Sequence, residues 1–230
     1  MLDLMKRILV ISIFCLILVP LASRSAAPQL TTFPSVDPKS SQYLLLVVDR
    51  VKYRGELPES EACRDPSAIC MDAPPFWFSA NVLESVYGES PEKEISIATT
   101  SHYGPMLVKE WRGPALVALV TSGNGFVMLR YAMRETVAGK NGKQFLFVDG
   151  AITPWWLPCS AAAVVKPIKP NDLMVPSRYI RPESELTEGD RDSYAKVNGG
   201  YFPKSAIEYS DLSKLLKREK KKAPIEFCDR

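Results

Sequence analysis

The chain has 230 residues, with 29 Lys and Arg, 26 Asp and Glu, one His and five Cys. That length suits one domain with an appendage, and 46% hydrophobic against 24% charged residues excludes wholesale disorder. Nineteen prolines argue for many loops and against a long helical bundle, and a formal charge of +3 is too small for the footprint of a nucleic-acid binder.

Residues 1–27 have the layout of a secretory signal peptide: Lys6 and Arg7, then an apolar run over 8–19, then Pro20 and a stretch of small residues. A membrane-spanning helix needs ~20 apolar residues; this run is shorter and stops at a proline. Cleavage is expected after Ser25 or Ala27, and Cys15 lacks the surroundings of a lipid-modified cysteine. Removing the segment takes Lys6, Arg7, Arg24 and Asp3 and leaves a net charge of +1. Cys63, Cys70, Cys159 and Cys228 then remain, an even number that suits disulfides in an exported chain. Three pairings are open. Cys63 with Cys70 is favoured because the loop between them is short and carries Pro66, which leaves Cys159 with Cys228. A zinc site built from all four lacks close C-x2-C pairs.

After an extended lead over 28–41, residues 42–160 read as a β domain. Residues 44–53 begin apolar on both faces and then alternate, as a strand entering a core and leaving at its rim does. Residues 76–86 place Phe76, Phe78, Ala80, Val82 and Val86 on one face and Ser79, Asn81 and Ser85 on the other, with Trp77 and Leu83 also on that second face. Residues 95–99 form a short third strand. Gly113-Pro114 marks a turn, 115–121 is almost wholly apolar, and 122–125 turns into a strand over 126–134. Asn141-Gly142 is the strongest hairpin signal in the chain, because both residues tolerate the positive φ of a type I′ turn; it leads into 144–148. About six strands separated by Gly, Pro and Asn predict a mainly β fold, a small closed or partly open antiparallel barrel.

Residues 161–230 read as a Pro-rich, charged extension. Residues 163–192 are expected to be irregular chain on the surface or partly mobile. A short helix over about 210–222 follows, with Asp211 near its start, Leu212, Leu215 and Leu216 as its apolar stripe and Pro224 as its stop.

The order of these features resembles the netrin-like, tissue-inhibitor-of-metalloprotease-like branch of the OB fold. The likeness rests on a strand with a charged end (Val47-Val48-Asp49-Arg50-Val51), the loop from Cys63 to Cys70, the aromatic strand from Phe76 to its turn at Gly88, the Glu94-Ile95-Ser96-Ile97-Ala98-Thr99 strand and the apolar strand that begins at Ala115. It covers about residues 42–148 and implies an OB-like barrel. The inhibitors of that family set an N-terminal cysteine of a Cys-x-Cys motif on a protease's zinc. Here no cysteine precedes Cys63 in the cleaved chain, so the resemblance implies no inhibitory residues.

Catalytic motifs are sparse. His102, the only histidine, opens a loop with Tyr103. As a base it would need a Ser or Cys nucleophile and an orienting carboxylate such as Asp72 or Asp149. No G-x-S-x-G, H-E-x-x-H, EF-hand, P-loop or G-x-G-x-x-G pattern supports an enzyme, a metal or a nucleotide cofactor. Trp155-Trp156, between Pro154 and Pro158, place one ring on each side of an extended chain, one to cap the barrel and one for a partner surface. The basic run 217–222 suits the solvated face of a helix or an anionic surface.

The expectation is an exported, periplasmic or extracellular, non-enzymatic barrel that binds a protein or cell-envelope polymer. No nucleic acid, cofactor, metal or stable membrane span is expected after cleavage. His102 and Tyr103 are the first candidates for its contacts, Trp155 and Trp156 the second. A cell-envelope hydrolase using His102 and a purely structural envelope protein are the alternatives.

Overall fold

The computed structural model describes residues 27–37, 39–58, 74–89, 92–100, 104–123, 125–148 and 154–220. The protein is mainly β, built on a closed five-stranded barrel with a short helix at its C-terminal side. The barrel strands are β1 (Tyr43–Glu56), β2 (Pro75–Tyr87), β3 (Glu94–Thr100), β4 (Ala115–Ser122) and β5 (Gly125–Glu135), in the order β1-β2-β3-β5-β4. A seven-residue helix, α1 (Gly104–Glu110), connects β3 to β4. This connection brings β5 alongside β3 in the same direction, so Ile97 pairs with Phe126 and Ala98 with Val127 in parallel; every other barrel pair is antiparallel. The small closed antiparallel barrel expected from the strand spacing is observed, with this one parallel seam. Closure leaves no free edge.

The barrel closes around alternating apolar side chains. Leu44, Leu46 and Val48 of β1, Phe76, Phe78 and Ala80 of β2, Ile95 and Ile97 of β3, and Val117 and Leu119 of β4 fill the interior, and Val108 of α1 joins them. Gly88 ends β2 at φ +77°, and a Cβ there would stand 2.3 Å from Leu44 Cδ2. Glycine is therefore required both for the turn and for the close approach.

Residues 144–148, expected to continue the barrel, belong to a second sheet instead. β6 (Val137–Ala138), β7 (Gln144–Val148), β8 (Val165–Pro167) and β11 (Ser205–Glu208) pair in the order β6-β7-β11-β8. The β6–β7 hairpin turns at Asn141 and Gly142, both at positive φ, as the type I′ signal requires. β7 leaves the barrel because its partner, β11, lies about 60 residues further on, with Leu146 opposite Ile207. No local pattern signals a pairing of that range. β9 (Tyr194–Val197) and β10 (Gly200–Pro203) form a separate hairpin.

Apart from β8, the stretch 163–192 is made of short 3-10 turns and irregular chain and is mostly exposed. Pro170 and Pro176 open short 3-10 turns, where a fixed φ and a missing N–H cost nothing. The stretch is tied down by Ile168 and Leu173, which pack with Val137, Phe145, Phe202 and Ala206. The final helix, α2 (Tyr209–Lys220), buries Leu212, Leu215 and Leu216 as its stripe anticipates. Leu212 and Leu216 meet the outer face of the barrel beside Leu45, Val47, Val86 and Trp156. Among the described residues, no helix is long and apolar enough to cross a membrane.

Candidate functional site

The outer face of β1, β2 and β3 is divided into three zones. At one end the N-terminal lead lies on the sheet: Leu30 is buried against Leu57, Trp77 and Ala98, and the Ser96 hydroxyl donates to the Pro28 carbonyl. At the other end α2 packs on β2. Between them lies a polar groove of about 690 Å³.

A bulge in β1 creates this groove. Asp49 is paired with Asn81 and Lys52 with Ser79, so three steps along β1 match two along β2. Arg50 falls in the irregular stretch and adopts φ +48°, the left-handed region that side chains with a Cβ avoid. Before the bulge the inward residues are Leu44, Leu46 and Val48; after it they are Val51 and Tyr53. The change from even to odd numbers turns Lys52 and Arg54 outward, onto the same face as Asp49. Without the extra residue both cations would point into the apolar interior, where an unpaired charge is strongly penalised.

The groove is lined by Asp49, Arg50, Lys52 and Arg54 from β1, Ser79, Asn81, Val82 and Leu83 from β2, and Glu92, Lys93 and Glu94 at the approach to β3. Arg54 is committed within it: its Nε donates to Ser79 Oγ at 2.9 Å and its guanidinium pairs with Glu94 at 3.3 Å. Ser79, only 2% exposed, forms part of the floor. Among the described residues, Arg50, Lys52 and Lys93 take no part in an ion pair. Among the described residues, none donates a hydrogen bond to the buried Asp49 Oδ1. A buried carboxylate oxygen without a donor carries a desolvation cost that native structures rarely leave uncompensated. The groove therefore offers three uncommitted cations at its rim and one unmet acceptor below them.

A second hollow of about 440 Å³ lies on the four-stranded sheet and is lined in part by Lys140, Lys143, Lys166 and Glu208. Its charges are largely answered from within. Lys143 sits 2.9 Å from Glu208, Lys166 pairs with Asp211, and these lysines hold both carboxyls below their ordinary range.

The residues singled out from sequence are scattered. His102 and Tyr103 lie outside the described residues, immediately before α1. The tryptophan pair splits: Trp156 is 1% exposed and packs among Leu45, Leu157 and Leu216, and its carbonyl accepts from the Tyr43 hydroxyl at 3.0 Å. Burial pushes that hydroxyl above the ordinary tyrosine range. Trp155 is 40% exposed, so it alone of the pair presents a ring to solvent, and it does not line the groove. Cys159 opens a 3-10 turn, Cys159–Val164; Cys63, Cys70 and Cys228 lie outside the described residues, as does the leader 1–26. Among the described residues no group of three or more His, Cys, Asp or Glu could hold a metal ion.

Sequence reasoning missed the groove: residues 44–48 are apolar at every position, so no change of period is visible where the bulge falls.

The chain matches no protein-family model, no curated protein and no solved structure.

Proposed function

We propose that the protein is an exported, non-enzymatic β-barrel that binds an envelope or extracellular macromolecule, and that the β1–β3 groove is its contact surface. The observation that carries this reading is the set of uncommitted groups on one open face: Arg50, Lys52 and Lys93 at the rim and the unmet Asp49 oxygen beneath.

Export is supported by the leader-like pattern of residues 1–27 and by the docking of Pro28 and Leu30 just beyond it, which gives a cleaved chain a fixed beginning. Kinship with the netrin-like branch is part of the proposal; the closed barrel is consistent with an OB-like fold and supports it at that level alone. The proposal includes a two-disulfide framework, Cys63 with Cys70 and Cys159 with Cys228. A bonded, non-titrating Cys159 is the support for that framework. Its neighbour Ser160 donates to Glu219 Oε2 at 2.6 Å, which sets the end of α2 beside it, and Cys228 follows nine residues later in sequence.

The test is a crosslinked pull-down from an extracellular or envelope fraction, using the wild type and the Lys52→Glu/Lys93→Glu double variant, both exposed positions. Recovery of a partner by the wild type and its loss with the variant are expected. Equal recovery would remove the groove from the reading.

A further inference from the structure

We infer that the β1–β3 groove takes an acidic glycan, a polyhydroxyl sugar chain bearing carboxylate or sulfate substituents. The inference rests on the reading of the groove as a binding surface and adds the chemistry of what it binds.

The groove makes two demands that few ligands meet together. Among the described residues, Arg50, Lys52 and Lys93 project from two sides of it without ion-pair partners and complement negative charge on a ligand. Asp49, Glu92 and Glu94 line the same groove, so the ligand also brings hydrogen-bond donors. A phosphodiester backbone supplies acceptors and no donor at its charged groups. Among the described residues no aromatic ring lines it, so stacked bases have no platform there. A cationic ligand would satisfy Asp49 but meet the three cations. A sugar chain satisfies both demands: its hydroxyls donate to Asp49 and exchange hydrogen bonds with Asn81, while its acidic substituents reach the basic rim. Leu83, 54% exposed at the border, offers an apolar surface for the C–H face of a sugar ring. The volume of about 690 Å³ falls in the range that bound small molecules fill.

The experiment uses the full chain freed of its leader. Polygalacturonate and dextran sulfate are the acidic probes, with neutral dextran and a single-stranded oligonucleotide of matched charge as controls, all read by titration calorimetry at two salt concentrations. Binding of at least one acidic glycan, weaker at high salt, is expected, with none to neutral dextran. Lys52→Glu and Lys93→Glu should each weaken it by about tenfold or more. Asp49→Asn, which keeps the shape and removes the charged acceptor, should also weaken it. Thermal unfolding of each variant confirms that the fold is retained, and Arg50→Ala is a further rim variant should one of the three fail to fold. The inference is overturned if the oligonucleotide binds as tightly as the glycans, if neither acidic glycan binds, or if Asp49→Asn and the rim variants leave affinity unchanged. If no acidic glycan binds while the double variant still loses its pull-down partner, the ligand class is wrong and the binding surface stands. If the pull-down is also unaffected, both fall.

Discussion

Replacing Arg50 by glycine should leave the protein more stable than replacing it by alanine, the reverse of what either residue does in an ordinary strand. Arg50 sits at φ +48° in the β1 bulge. A Cβ in the left-handed region costs about 1–2 kcal/mol, and Arg50→Ala retains that cost while removing the guanidinium. Arg50→Gly removes both, at the expense of about 0.5–1 kcal/mol of extra chain freedom in the unfolded state. The net advantage of glycine over alanine is then about 0.5–1 kcal/mol. For a chain of this size 1 kcal/mol corresponds to about 2–4 °C in Tm, so the two variants should differ by about 1–4 °C. Differential scanning calorimetry and urea denaturation of the pair measure this directly. Because both variants lack the guanidinium, both should bind acidic glycans more weakly than the wild type, and glycine should gain stability without regaining affinity. An alanine variant as stable as the glycine variant would show that residue 50 is in ordinary extended backbone, and the phase argument that turns Lys52 and Arg54 outward would fail with it.

The two tryptophans should separate cleanly by stability. Trp156→Ala empties a fully enclosed position and should cost about 3–5 kcal/mol, whereas Trp155→Ala at its exposed neighbour should stay within about 0.5 kcal/mol; chemical denaturation of both variants decides whether the burial pattern is right. Acid should weaken the second sheet through Glu208 and Asp211. Their folded-state pKa values lie below the ordinary 4.5 and 3.8 because of Lys143 and Lys166, so their stabilisation is complete above that range and is lost as pH falls through and below it. Urea midpoints measured between about pH 6 and pH 3 should fall less steeply in Glu208→Gln than in the wild type, and parallel curves would remove the Lys143–Glu208 pair from the account.

Much of the β structure was legible in the sequence because strands declare themselves locally. The alternation around Phe76, Phe78 and Ala80, the apolar run that begins at Ala115 and the Asn141-Gly142 turn each depend on residues within a few positions of one another. The helix at Leu212, Leu215 and Leu216 is legible for the same reason, at a different period. The candidate site was much less so. His102 and Trp155 draw attention as residue types, whereas the groove is assembled from Lys and Arg residues that look like any solvated strand face. The unbroken apolar run over 44–48 hides the bulge that sets these cations on one side with Asp49.

Composition and local pattern by themselves determined a β-rich chain with a leader-like start, strands at nearly the observed positions and an amphipathic C-terminal helix, since side-chain period and turn chemistry are short-range properties. Tertiary structure decided the rest. It set which strands are neighbours, sending β7 to β11 and β5 to β3, because pairing over tens of residues depends on loop closure and shared burial. It also decided which tryptophan is enclosed, and it brought Asp49, Lys52 and Lys93 to one groove. These are facts about which surfaces meet, and a surface exists only after the chain has closed on itself.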